Sequence, residues 1–181
     1  LPAGFTPTTN NTVSVSNSEY PIYIFFDNTN DAGIMYFYTE AKDIYMRANS
    51  SYAFYNNTTL SDISALSYWN TSNVTDMRNM FYGTSALTDI DALASWDTSN
   101  VTDMSSMFSH MYVLTSLTFS DSFNTSSVTN MSSMFYATKA LASLTLPAGF
   151  NTSKVTNMSG MFNAMESLTS LTLPTSFNTS K

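Results

Sequence analysis

The chain has 181 residues, 43% of them hydrophobic, enough to bury a core as one elongated domain, and it contains no cysteine, which excludes disulfides and thiolate chemistry. Only 10% of its residues are charged and its net charge is −7, against a charged fraction of ~25% in ordinary soluble domains. That balance excludes nucleic acid as a partner, because phosphate contacts need clusters of Lys and Arg, and no run of about 18 apolar residues is present to span a membrane.

Residues 1–17 are polar, with Pro and Thr, and read as an extended segment. Two short aromatic and β-branched runs follow, Pro21-Ile22-Tyr23-Ile24-Phe25-Phe26 and Ile34-Met35-Tyr36-Phe37-Tyr38. The turn formers Asp27-Asn28-Thr29-Asn30-Asp31-Ala32-Gly33 separate them, so residues 18–41 are expected to form a β-hairpin. Asp43-Ile44-Tyr45-Met46 adds a third candidate strand.

From residue 42 onward the chain aligns with itself at a period of 27 without gaps. Trp69-Asn70-Thr71-Ser72-Asn73-Val74-Thr75-Asp76-Met77 returns as Trp96-Asp97-Thr98-Ser99-Asn100-Val101-Thr102-Asp103-Met104, and further copies open at Phe123, Phe150 and Phe177. The copies run 69–95, 96–122, 123–149 and 150–176, with a degenerate copy at 42–68 and a partial one at 177–181. A period of this length means that each copy is one supersecondary unit whose apolar face is buried only by stacking on its neighbours. The fold class is therefore a repeat solenoid, and the hairpin is its N-terminal cap, since an open end exposes strand edges and apolar surface. The last coil has no successor over Leu171, Leu173, Val155, Met158, Met161 and Phe162, so a longer array, or self-association through the uncapped C-terminal end, is expected.

Each copy holds two apolar patterns. Leu141-x-x-Leu144-x-Leu146 and its equivalents end in the period of two that marks a short strand, and stacked copies would make a parallel sheet with coils ~4.8 Å apart. Val101, Met104, Met107 and Phe108, repeated in the four full copies, have spacings that suit one face of a short helical turn, α or 3₁₀. The methionines and the column Trp69, Trp96, Phe123, Phe150 and Phe177 are assigned to packing, because an unbranched thioether fills gaps between coils. The Thr71 and Thr75 columns, with Asp76, Asp103, Asn130 and Asn157, read as caps for the free N–H groups of that helical turn.

The phrase Trp96-Asp97-Thr98-Ser99-Asn100-Val101-Thr102-Asp103-Met104-Ser105-Ser106-Met107-Phe108, with Leu-x-x-Leu-x-Leu behind it, closely resembles the BspA-like leucine-rich repeats of bacterial surface proteins, a family once labelled only as a domain of unknown function. The resemblance covers residues 42–181. It implies a right-handed, leucine-rich-repeat-like solenoid on a secreted or wall-attached protein, extracellular and, in some relatives, adhesive to host matrix proteins or epithelial cells. Relatives often carry Cys where this chain has Thr84, Met111, Thr138 and Met165, an exchange that leaves a coil interior equally filled.

No catalytic constellation is present. His110 is the only histidine and shares its column with Gly83, Ala137 and Ala164, which marks a tolerant position. Asp89 and Asp91, two apart and so expected on one strand face, lack the cleft that an acid/base pair requires. No enzyme activity, cofactor or metal site is expected. The expected function is a non-catalytic interaction module whose strand-side face carries Thr88, Asp89, Asp91, Thr115, Ser116, Thr118, Ser143, Thr145, Ser170 and Thr172. A protein partner on a host or neighbouring cell is the first reading. A carbohydrate-binding module, with a glycan held by the short hydroxyls, or an inert spacer of a wall-attached protein, is the alternative. Tyr82, Tyr112 and Tyr136 look scattered among Ser, Lys and Glu in their columns, which argues against an aromatic sugar platform.

Overall fold

The computed structural model describes residues 23–26, 35–38, 44–120 and 122–180. Strands β1 (Tyr23–Phe26) and β2 (Met35–Tyr38) pair antiparallel, with Tyr23 opposite Tyr38 and Phe26 opposite Met35, which is the expected hairpin. Residues 1–17, expected to be extended, residues 27–33, expected to be the hairpin's loop, and the hairpin's side chains lie outside the described residues.

Beyond the hairpin, successive copies lie side by side in register. Asn49, Asp76, Asp103, Asn130 and Asn157 form one continuous line of parallel bridges, one residue per copy. Strand β3 (Ile44–Tyr45) pairs parallel with β4 (Trp69–Asn70), the third strand that the sequence suggested. That pairing spans 25 residues from Ile44 to Trp69, whereas Asn49 meets Asp76 27 residues on. The degenerate copy is thus two residues short in the bend between Tyr45 and Asn49.

The Met-rich face is not helical, contrary to expectation. Met77, Asn79, Phe81 and Gly83 donate their backbone N–H to Asp103, Ser105, Met107 and Ser109 in the next copy, at 2.9–3.0 Å. The intervening Met80, Tyr82 and Thr84 close local turns onto Met77, Asn79 and Phe81 at 3.2 Å. An α-helix would spend every N–H inside its own segment; here alternate groups hold the neighbouring coil. The turns at 77–80 and 81–84 place their third residue, Asn79 (φ 54°) and Gly83 (φ 69°), in the left-handed region, as a type II turn demands. Ser106, Ser133 and Gly160 repeat the first position, and His110, Ala137 and Ala164 the second. The His110 column is therefore a conformational requirement rather than a tolerant one. At Gly83 a Cβ would also crowd the Asn56 side-chain amide, which would have to swing aside.

The strand side has two textures. Strands β5 (Ser143–Thr145) and β6 (Ser170–Thr172) pair parallel, with Thr118 bridging to Thr145, as the Leu-x-Leu spacing predicts. The two preceding copies instead form 3₁₀ helices, Ser64–Tyr68 and Asp91–Ser95, so Asp91 does not stand on a strand beside Asp89. The reason is the apolar spacing. Leu60, Ile63, Leu66 and Leu87, Ile90, Leu93 recur every three residues and are buried, which matches the three residues per turn of a 3₁₀ helix.

The core is continuous. Phe54, Phe81, Phe108, Phe135 and Phe162 stack with ring centroids 5.1–6.1 Å apart and planes within 10°. Val101, Met104, Met107, Phe108 and Leu114 have no exposed surface, so the methionine columns are packing. Trp96, Phe123 and Phe150 are buried and Trp69 and Phe177 half-buried against the same core. In the last copy Leu171 and Leu173 are exposed and Met158 and Phe162 half-buried, whereas Val155 and Met161 stay buried as part of the same core cluster.

The threonines of the Thr71 column are staples rather than caps. Thr71, Thr98, Thr125 and Thr152 are buried and donate to the carbonyls of Asp97, Asn124, Asn151 and Asn178 in the next coil at 2.8–3.0 Å. The exposed Thr75, Thr102, Thr129 and Thr156 donate backward to the preceding coil. The carboxylates and amides act as expected, except that they cap turns: Asp76, Asp103, Asn130 and Asn157 each accept the N–H two residues on, at 2.8–3.1 Å.

Two outcomes are expected. Met107→Ala lowers unfolding stability by about 2–5 kcal/mol, and Met107→Asp, which strands an unpaired carboxylate in the core, unfolds the adjoining coils; denaturant titration reads both. The Asp97 carboxyl is held below its usual pKa by hydrogen bonds from the Ser99 side chain and backbone. Its contribution is therefore complete above the unfolded pKa of about 3.9 and is lost as pH falls through the depressed folded value. Asn124 and Asn151 do the same work without titrating, so Asp97→Asn should preserve stability at neutral pH and flatten the acid limb of a melting-temperature profile.

Candidate interaction surface

All ten residues assigned to the strand-side face are exposed: Thr88, Asp89, Asp91, Thr115, Ser116, Thr118, Ser143, Thr145, Ser170 and Thr172. Their backbone places them. Buried Leu117 and Leu144 alternate with them along each strand and turn the intervening side chains outward. Ser143 lies beside Ser170, and Thr145 lies between Thr118 and Thr172. The N–H groups of Thr115 and Ser116 both bond the carbonyl of Thr88.

Two depressions divide the face. The first, of about 430 Å³, brings together Thr115, Ser116, Thr118, Ser143 and Thr145 over the partly exposed rings of Phe119 and Pro147. Nothing charged lines it. The second, of about 290 Å³, lies at the 3₁₀ helices and gathers Asp89 and Asp91 with Asp62, Ser64 and Ser67. Ser170 and Thr172 continue the rows of the first depression without lining it, and Thr88 lines neither. Among the described residues no three His, Asp or Glu side chains converge to hold a metal ion, and no helix is long and apolar enough to cross a membrane.

The hydroxyls of this face differ from those of the other threonine columns. The hydroxyls of Ser116, Thr118, Ser143, Thr145, Ser170 and Thr172 have no hydrogen-bond partner among the described residues, whereas the Thr71 and Thr75 columns spend theirs on the adjacent coil. These outward hydroxyls are free to meet a ligand without breaking a bond that holds the stack.

Column alignment misses a second surface. Tyr55, Tyr82 and Tyr136, a column that Ser109 interrupts, form with His110 a ladder across four coils with ring centroids 5.0, 4.6 and 5.1 Å apart. Tyr52 and Tyr112 flank it edge-on, at 5.3 Å from Tyr55 and 5.6 Å from His110. At a strict 27-residue step Ser109, not His110, aligns with Tyr82, but Ser109 is buried. Its hydroxyl bonds His110 Nδ1 at 2.8 Å, and the His110 ring takes the place of the missing tyrosine. Burial, and secondarily the nearby Lys139 charge, hold the His110 imidazole below its ordinary pKa. Burial and the neighbouring phenols raise that of Tyr82. Lys139 lies 5.9 Å over the Tyr112 ring and pairs with Glu166 at 2.7 Å, which raises the lysine pKa. Asn56 and Gly83, turn formers that directly follow Tyr55 and Tyr82 and hold positive φ, are the signal by which sequence could have located it.

Among curated proteins no relative matches the chain. A solved structure of a leucine rich cell surface protein from Faecalibacterium prausnitzii is similar at 26% identity with a TM-score of 0.37, over 67% of this chain. This chain spans 35% of that protein's length. The family described as "Mycoplasma protein of unknown function, DUF285" matches residues 48–176, well over half of the 181 residues, and the chain belongs to that family.

Proposed function

We propose that this chain is a leucine-rich-repeat-like solenoid serving as the non-catalytic, surface-exposed interaction module of a bacterial surface protein, with the hairpin of residues 18–41 as its cap. It acts outside the cell and adheres to proteins of a host or a neighbouring cell through the strand-side face. The observation that carries this reading is the contrast among hydroxyls: those of the Thr71 and Thr75 columns are consumed by the stack, while those of Ser116, Thr118, Ser143, Thr145, Ser170 and Thr172 stand outward with no partner among the described residues. A stiff, regular face whose polar groups are pre-positioned loses little freedom on binding. The resemblance to BspA-like repeats supports the same reading. The alternative, a carbohydrate-binding module, draws on the uncharged first depression, where hydroxyls surround Phe119 and Pro147.

The test sets immobilised chain against purified extracellular-matrix proteins and a glycan array in parallel. Thr118→Arg and Thr145→Arg place bulk and charge in the first depression and should weaken binding to a matrix protein at least tenfold. Lys154→Ala, outside the face, should leave it unchanged. Binding that tolerates both arginines sinks the strand-side assignment, and a response confined to glycans transfers the function to the alternative.

A further inference from the structure

We propose that Tyr55 and Tyr82 are an oxidative cross-linking site: hydrogen peroxide and a haem peroxidase couple their rings into a dityrosine that staples two neighbouring coils. The geometry singles out this pair. The two rings stack with centroids 5.0 Å apart and planes within 20°, and they belong to adjacent copies. Tyr52 is nearly as close to Tyr55, at 5.3 Å, but meets it edge-on at 61° and sits three residues away in the same coil, where a bond would join nothing new. Along the ladder Tyr82 next meets His110, so Tyr136 is a ring too far for direct coupling. Tyr55 is 44% exposed and open to the oxidant; Tyr82 is half-buried and exchanges an electron through the stack.

The reaction balances as follows. Each phenol gives up one electron and its O–H proton, leaving a phenoxyl radical whose spin reaches the ring carbons next to the C–O carbon. Two such carbons, one on each ring, form a C–C bond. The hydrogens on those carbons return to the oxygens by tautomerisation, so both phenols are restored and the pair has lost two hydrogens in all. Hydrogen peroxide takes up the two electrons and two protons and becomes two molecules of water. A phenol is protonated at neutral pH, so each proton leaves together with its electron. The product closes a loop from residue 55 to residue 82 in a chain that has no cysteine for a disulfide, and a cross-link of this kind stabilises chiefly by constraining the unfolded chain. The site does not depend on what the strand-side face binds.

The full chain, at a concentration low enough to keep it monomeric, is treated with hydrogen peroxide and a haem peroxidase. Dityrosine fluorescence should appear in a monomer two hydrogens lighter than the starting chain, and tandem mass spectrometry should place the bond between the peptides carrying Tyr55 and Tyr82. The cross-linked monomer should melt at a higher temperature than the untreated one. Tyr55→Phe and Tyr82→Phe keep the stacked ring, which circular dichroism can verify, and each should abolish this product, while Tyr52→Phe and Tyr112→Phe should not. A monomer product that joins other tyrosines, coupling only between chains, or an undiminished yield in Tyr82→Phe would overturn the proposal.

Discussion

The structure depends on one choice made by the backbone between Met77 and Thr84 and repeated in the following copies: alternate N–H groups bond sideways to the next coil instead of along the chain. Buried peptide groups must be paired, and a helix here would have satisfied them internally and left the coils joined by side chains alone. The lateral bonds make each coil the template for its neighbour, and they fix the period. An inserted residue inside 77–84 would shift every later donor off its acceptor and reverse the sides on which core and surface residues fall. The shortened first copy obeys that constraint, since its two-residue deficit lies in the bend after β3 and the bonds from Ser50, Tyr52 and Phe54 to the next coil are intact.

This arrangement carries a conformational cost. Ser106, His110, Ser133, Ala137 and Ala164 hold positive φ without being glycine, a state that costs roughly 1–3 kcal/mol each. It persists because Ser106, His110, Ser133 and Ala137 each reverse a turn and donate their own N–H to the next coil, and because the neighbouring Phe108 and Phe135 rings stack on each other across the coils at 5.8 Å. The polar interior is balanced in the same way. Thr84 and Thr138, with no exposed surface, bond the carbonyls three residues back at 2.7 and 2.8 Å, so neither leaves a buried hydroxyl unpaired.

The period and the core columns were legible in the sequence because burial imposes the same residue type at the same place in every coil. The helical assignment failed for a physical reason: spacings of three, three and one at Val101, Met104, Met107 and Phe108 are produced equally by a helical turn and by consecutive tight turns. Asn79, Gly83 and Gly160 could have separated the two, since a helix interior does not ask for left-handed residues. The 3₁₀ helices were also within reach. Leu87, Ile90 and Leu93 repeat every three residues where Leu144 and Leu146 are two apart. The aromatic ladder was hidden because it does not follow a single column; His110 enters it one residue after the aligned Ser109.

Three columns of the same residue types do three different jobs, and burial decides which. Thr98 has no exposed surface and must donate to Asn124, so it belongs to the fold. Thr102 is exposed yet still donates to Thr75, so it belongs to the stack. Thr118 and Thr145 face outward with only their backbones engaged in the Thr118–Thr145 bridge, so neither fold nor stack constrains their hydroxyls. Substitution at such positions changes the surface while leaving the lateral hydrogen bonds and the methionine core untouched. A scaffold with that separation can alter what it binds without altering how it folds.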